Sequence, residues 1–139
     1  MYWAVYDKTQ DKKLTIAVWD LDGSAGQRWI DQWIPDSSSP DYPFTDNINL
    51  YYRLRQLNAD AFNEKVLARY QQLRATCLST DSLVKRYQDY DELLKNTGAA
   101  QREEERWSGD SDVRGEEISF QKETAYITDW ITRHMQYLD

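Results

Sequence analysis

Apolar and polar positions along the chain fall into two regimes. Before residue 35 the apolar residues come in short runs, and after residue 46 they recur every three or four positions. Residues 2–6 (Tyr-Trp-Ala-Val-Tyr) are aromatic and β-branched, as a strand requires. Residues 14–19 (Leu-Thr-Ile-Ala-Val-Trp) form a second apolar run, and the polar stretch 7–13 between them predicts an antiparallel hairpin with a loose loop. An isolated hairpin is marginal in water, so these strands are expected to pack on helices or pair with further strands. The second run is apolar on both faces and therefore expects cover on both sides.

Residues 27–34 place Trp29, Ile30 and Trp33 at helical spacing, although Pro35 would end any helix within a couple of turns. Residues 35–46 hold all three prolines and three consecutive serines, and read as a loop. Everything beyond reads as helix. Residues 47–57 carry Leu50, Leu54 and Leu57 at spacings of four and three. Residues 60–78 align Phe62, Val66, Leu67, Tyr70, Leu73, Cys77 and Leu78 on one stripe, with Asn58 or Asp60 as the N-cap. Cys77 lies on that stripe with no histidine near it in sequence, so it reads as a buried structural thiol. Ser79 or Thr80 starts the next helix, whose Leu83, Val84, Tyr87, Tyr90 and Leu94 form a second stripe ended by Gly98.

Residues 99–107 contain Arg-Glu-Glu-Glu-Arg, expected as a solvated helical face, because three adjacent glutamates point in different directions around a helix and make a poor metal cluster. Residues 108–115 are expected as a mobile loop. Ser119 then caps a last amphipathic helix with Phe120, Ile127, Trp130, Ile131 and Leu138 inward, and Trp130 and Ile131 are expected to be buried. His134 lies near that stripe with no metal-ligand spacing around it, and reads as structural. The predicted fold is a single α+β domain over residues 1–139. It is predominantly α-helical, with at least four helices after residue 46 and a small N-terminal antiparallel β-hairpin packed on them.

Composition narrows the function. With 40% hydrophobic and 14% aromatic residues the chain can build a core, while 29% charged residues and a mean hydropathy of -0.86 fit a soluble fold. The net charge of -7 and pI of about 4.7 argue against a long basic groove for nucleic acid or for an anionic membrane. No run of about 18 apolar residues is present, so no membrane span is expected. The first residues read as strand rather than as a leader peptide. One cysteine rules out an internal disulfide.

One stretch carries a chemical signature: Trp19-Asp20-Leu21-Asp22-Gly23-Ser24-Ala25-Gly26, an apolar run ending in two carboxylates and a pair of glycines. At the end of a strand, Asp20 and Asp22 project to one side, where like charges repel unless a cation, a proton or loop amides and water intervene. Gly23 and Gly26 allow positive φ or a close approach. An EF-hand would place Asp20, Asp22 and Ser24 at its first, third and fifth positions and Asp31 at its twelfth. It is rejected, because the sixth position is Ala25 instead of glycine, the twelfth is Asp instead of Glu, and a strand precedes the loop. Two readings stay open on the motif alone. One is turn chemistry, with Asp22-Gly23 making the turn and Asp20 bonded to loop amides. The other is a Mg²⁺ site of the phosphoryl-transfer kind.

Nearly the whole chain resembles the C-terminal half of the spore coat protein H (CotH) kinase family, an atypical protein-kinase-like fold. The resemblance rests on the aromatic strand, the Trp-Asp-Leu-Asp-Gly-Ser-Ala-Gly stretch and Tyr52-Arg53-Leu54-Arg55-Gln56-Leu57. It continues through Arg69-Tyr70-Gln71-Gln72-Leu73-Arg74, Leu78-Ser79, Glu105-Arg106-Trp107, Trp130-Ile131-Thr132-Arg133 and Leu138-Asp139. It implies ATP-dependent phosphorylation of protein serine or threonine by the full-length protein, with Asp20, joined by Asp22, holding Mg²⁺ (or Mn²⁺) on the nucleotide phosphates. It also implies a coat or surface protein as substrate or partner, and a spore-coat, secreted or cell-surface location. In the family, the lobe that holds ATP and the catalytic Asp loop lie upstream of this strand pair. Here Asp7 and Asp11 are the only acidic residues before Asp20, and no Gly-rich stretch precedes the motif. The expectation is a C-terminal lobe lacking its ATP-binding lobe, without catalytic residues of its own and with no tightly bound cofactor. Kinase-like catalysis rests on positioning and electrostatics shared across a whole site.

A second function class is a non-catalytic interaction module, in which the six Trp and ten Tyr form a partner-binding surface. An exposed aromatic patch would also suit carbohydrate.

Overall fold

The computed structural model describes residues 3–6, 9, 14–17, 25–28, 32–33, 37–38, 49–112 and 115–139. Among these the fold is mostly helical, with five helices. They are α1 (Asn49–Leu57), α2 (Phe62–Arg74), α3 (Thr80–Asn96), α4 (Ala99–Arg106) and α5 (Phe120–Leu138). The backbone of β1 (Trp3–Tyr6) runs antiparallel to β2 (Leu14–Ala17), with Trp3 opposite Ala17 and Tyr6 opposite Leu14. How this pair packs against the helices lies outside the described residues.

The described residues of the segment 27–34 depart from its helical spacing. Gln27–Arg28 (β3) pairs antiparallel with Gln32–Trp33 (β4), Gln27 opposite Trp33. A segment this short, closed by Pro35, cannot repay the cost of nucleating a helix, and its aromatic and β-branched residues favour extended backbone.

The core sits on α5. Trp130, Ile131 and Met135 are buried along one face of it, and Leu83, Val84 and Tyr87 of α3, Tyr70 of α2 and Ala25 pack against them. α5 packs chiefly on α3, and α4 packs on α3 in turn. The helix starts follow capping chemistry. The Ser79 hydroxyl accepts from Ser82 N at 3.2 Å at the head of α3. At the head of α5, Ser119 Oγ accepts from Lys122 N and Glu104 Oε1 accepts from Phe120 N at 2.8 Å. Glu104 therefore leaves the expected solvated face of α4 and ties α4 to the first turn of α5. Its neighbours Glu103 and Glu105 stay exposed.

Helix α2 packs loosely. None of its residues is buried, and Val66 and Leu67 of the expected stripe are exposed. Its entry is tight: Asn58, Asp60 and Ala61 all take positive φ, at 44°, 55° and 54°. Ala61 occupies the cap position without a capping side chain, and Asn58 supplies one from further back, its Oδ1 accepting from Asn63 N at 2.9 Å. The helix ends at Arg74. Thr76 turns its hydroxyl onto the carbonyls of Gln72 and Leu73, and Leu78 N donates to Leu73 O at 2.9 Å. Cys77 therefore falls in a turn where the helical period no longer applies, and it is exposed, contrary to the buried thiol expected from spacing.

Two further stripe positions are corrected in the same way. Tyr90 of α3 and Leu138 of α5 are exposed. The segment expected as a mobile loop includes a Ser111–Glu117 bridge, with Asp112 N donating to Glu116 O at 2.8 Å and Glu116 N donating to Asp112 Oδ1 at 2.9 Å.

Candidate functional site

Asp20 and Asp22 lie outside the described residues, whereas the end of their motif does not. Ala25 and Gly26 form a turn at φ 53° and φ 84° that leads directly into β3. Ala25 packs on the Trp130 cluster, and Gly26 is buried against α5. A Cβ added at Gly26 would sit 2.7 Å from Trp130 Nε1, 2.7 Å from the Tyr126 hydroxyl oxygen and 2.8 Å from Trp130 Cδ1. Such distances are far inside van der Waals contact. Glycine is required here twice over, for its positive φ and for the approach of backbone to indole.

The same face of α5 holds a second loop. His134 stands one turn after Trp130 and stacks on it, the ring centroids 4.4 Å apart and the planes 22° from parallel. His134 Nδ1 lies 2.8 Å from the backbone oxygen of Ser37, which is itself only 3% exposed. A carbonyl can only accept, so Nδ1 carries the proton. Tyr126, Trp130 and His134, spaced by four, thus line one stripe of α5. Its first half receives the turn that ends the Asp motif, and its second half receives Ser37. His134 is structural, as expected from its sequence context, and its role as a tether for a loop nearly a hundred residues upstream had no signal in the sequence.

At the far end of α5, Arg74 of α2 grips Asp139. Its Nε donates to Asp139 Oδ1 at 2.9 Å, its Nη2 donates to Oδ2, and its Nη1 donates to Leu78 O. The Tyr70 hydroxyl donates to the same Asp139 Oδ1 at 3.1 Å. The Arg74 hydrogen bond holds the Asp139 carboxyl below the usual carboxylate range, and Asp139 in turn raises the Arg74 guanidinium. Burial, followed by the Asp139 carboxylate, pushes the Tyr70 phenol up. This fork-shaped contact ties α2 to α5, and the geometry is structural rather than catalytic.

Among the described residues no group of three or more His, Cys, Asp or Glu is placed to hold a metal ion. An open cleft of about 230 Å³ lies at the head of α5, lined by Lys95, Ala100, Gln101, Glu104, Ser119 and Phe120. It shares no residue with the Gly26 contact, and the half-buried Glu104 carboxylate that lines it already accepts from Phe120 N. No described helix is long and apolar enough to cross a membrane.

Comparison with curated proteins and with solved structures gives no match. The family comparison does: the chain matches the CotH kinase protein family over residues 2–138. The matched span takes in the Asp20-Leu21-Asp22 motif, the turn at Gly26 and the α5 stripe on which that turn is seated. The chain therefore belongs to the CotH kinase protein family.

Proposed function

We propose that this chain is the helical, metal-holding part of an atypical protein kinase that transfers the γ-phosphoryl group of ATP to serine or threonine of a coat or surface protein. The observation that carries this reading is the family match across the Asp20-Leu21-Asp22 motif. In this reading the hairpin of residues 2–6 and 14–19 packs on the helices to form a lobe like that of an atypical kinase, with Asp20 and Asp22 at the end of its second strand. The donor set supports a hard cation, since two carboxylates one residue apart offer oxygen ligands only. A bound Mg²⁺ or Mn²⁺ would neutralise charge developing on the nucleotide phosphates. Asp20 and Asp22 would hold it, and the Ala25–Gly26 turn would fix where their loop begins its return.

The 139 residues hold no Gly-rich stretch ahead of the motif to cradle phosphates. The chain on its own is therefore expected to take Mn²⁺ weakly and to transfer no phosphate. The test uses the labelled chain with ATP and Mn²⁺, followed by amide NMR. Shifts and paramagnetic broadening confined to residues 19–27 are expected, and their absence at saturating ion would leave Asp20 and Asp22 as turn chemistry. Radiolabel transfer from ATP by a longer protein that includes this chain, lost on Asp20→Ala, would establish the activity.

A second reading, a non-catalytic interaction module, draws on the exposed apolar side chains of α1 and α2, with Leu57 69% and Leu67 56% exposed. It is favoured if Asp20→Ala leaves every activity of the longer protein intact while substitution of Leu57 and Leu67 abolishes partner capture.

A further inference from the structure

We infer that this chain associates head to tail with a second copy of itself: the exposed apolar side chains of α1 and α2 on one copy receive Trp107 and the acidic surface around it on the next. The inference takes up the α1–α2 surface of the interaction reading above and names its occupant; it does not depend on kinase chemistry.

Charge is divided unevenly along the chain. Residues 49–74 carry Arg53, Arg55, Lys65, Arg69 and Arg74 against Asp60 and Glu64, a basic stretch in a chain of net charge -7. Lys65 is paired with Asp60 and Arg74 with Asp139, which leaves Arg53, Arg55 and Arg69 without an ion pair among the described residues. The same two helices expose Tyr52, Leu57, Val66 and Leu67. Residues 103–117 are the reverse, with seven carboxylates against Arg106 and Arg114. Glu103, Glu105, Asp110, Glu116 and Glu117 are exposed there, and so is Trp107, at 44%. Its indole is already oriented: Nε1 donates to Glu103 Oε2 at 2.9 Å, and the Arg106 guanidinium lies 5.2 Å from the ring centroid. An aromatic side chain set in place beforehand loses little freedom on docking and makes a suitable anchor.

The two surfaces sit at opposite ends of α5. Residues 103–117 adjoin its head, where Glu104 Oε1 accepts from Phe120 N and Glu117 pairs with Lys122. α2 is tied to its tail through Tyr70 and Arg74 on Asp139. α1 is fastened to α2 by the edge-on contact of Tyr51 with Phe62 and by Asn63 Nδ2, which donates to Arg55 O at 3.0 Å. The 19 residues of α5 put about 28 Å between the two attachments. A basic, apolar surface and an acidic one with an aromatic anchor, held apart in this way, are free to pair between copies. Charge orients the encounter, and the apolar side chains supply the burial. Because the two patches differ, the contact is heterologous, and every docked copy leaves one patch of each kind open for the next.

Sedimentation velocity of the full 139-residue chain tests this, at about 0.1 M salt, where charges are felt over about 10 Å, and at about 1 M, where they are screened within about 3 Å. At the lower salt the weight-average mass is expected to rise with concentration past twice the 16.5 kDa of one chain, and at the higher salt to fall back toward it. Leu57→Asp with Leu67→Asp spoils only the receiving surface, and Trp107→Ala only the inserting one. These side chains are exposed, so both variants are expected to keep the circular dichroism of the unmodified chain. Each variant alone is expected to be monomeric. Mixed in equal amounts they are expected to form a dimer and stop there, since one keeps Trp107 and the other keeps the surface that receives it. A chain that is monomeric at every concentration, association that strengthens with salt, an unmodified chain that stops at a dimer, or a mixture that stays monomeric would each overturn the inference. Sedimentation of a monomeric chain with phosphatidylserine vesicles would overturn it by giving the basic surface to an anionic membrane. Capture of a different protein through Leu57 and Leu67 by a monomeric chain would overturn it while leaving the interaction reading in place.

Discussion

Replacement of Trp130 by alanine tests whether α5 is the centre of the fold. The side chain is 3% exposed, its indole packs among Ile131, Met135 and Ala25, and His134 stacks on its face. A buried tryptophan removes about 150–250 Å² from water, which at about 25 cal/mol per Å² corresponds to roughly 4–6 kcal/mol. Alanine retains part of that area, whereas the void it leaves adds a cavity penalty, and measured Trp→Ala costs of about 3–5 kcal/mol reflect both. Here one wall of the void is the Ala25–Gly26 turn, which can relax inward more easily than a helix. The expected loss is therefore near the lower end, about 3 kcal/mol, a large share of the roughly 5–15 kcal/mol that holds a domain together. Urea denaturation followed by far-ultraviolet circular dichroism measures it. Trp130→Phe, which keeps an aromatic ring in the stripe, should lose clearly less. A loss below about 1 kcal/mol for Trp130→Ala would show that α5 is peripheral and would refute the reasoning from burial.

Ala61→Gly should stabilise the chain by about 0.5–1 kcal/mol in the same assay, since Ala61 sits at φ 54° and glycine relieves that conformation at some entropic cost. Cys77 should react with a thiol reagent at nearly the rate of a free thiol under native conditions, because it is exposed in the turn after α2; protection until unfolding would restore the buried reading. Asp139→Asn should destabilise the chain at neutral pH. The folded Asp139 carboxyl is held below its ordinary value, so its contribution is present above the unfolded value of about 3.9 and is lost as pH falls through the lower folded one. Denaturation midpoints of the two proteins should converge in acid below the ordinary carboxylate range, and a gap that persists there would assign the effect to something other than the charge.

The helical part of the fold was legible because long amphipathic periods announce themselves. The Ser79 and Ser119 caps, the Gly98 stop and the burial of Trp130 and Ile131 all followed from spacing and capping chemistry. What spacing could not supply was where a stripe finds a partner. Val66, Leu67, Tyr90 and Leu138 have the right periodicity and remain exposed, because a stripe predicts only the face a helix would bury. Cys77 failed for a local reason: the Thr76 hydroxyl competes for the last carbonyls of α2 and ends the helix before the cysteine. Glu104 failed for a non-local one, since only the return of the chain at residue 120 brings an amide to its carboxylate. Of the Asp20–Gly26 motif, only its end lies among the described residues. The two glycines after Asp22 signalled a turn or a close approach, and the approach at Gly26 is to the side chains of a helix a hundred residues later.

That approach links stability to the proposed chemistry. The described helices differ greatly in how firmly they are held. α2 buries none of its residues and is tied to α5 by Tyr70, Arg74 and Asp139, whereas α5 carries the buried cluster, rests on α3 and has its first turn capped from α4 through Glu104. Local opening follows burial, so α5 is the element expected to open last, and α1 and α2 the ones expected to open first. The Ala25–Gly26 turn is seated on α5. A metal-holding loop works only if its carboxylates keep their positions while charge shifts on the bound phosphates, and backbone excursions degrade that geometry steeply. The consequence is measurable as hydrogen exchange. The amide of Gly26 should exchange at a rate set by opening of α5, far slower than an ordinary loop amide. Exchange as fast as at Gly109, a turn glycine where an added Cβ would meet nothing within 4 Å, would mean that the turn parts from α5 without disturbing it, and that the rigidity of the helix is not passed on to the loop.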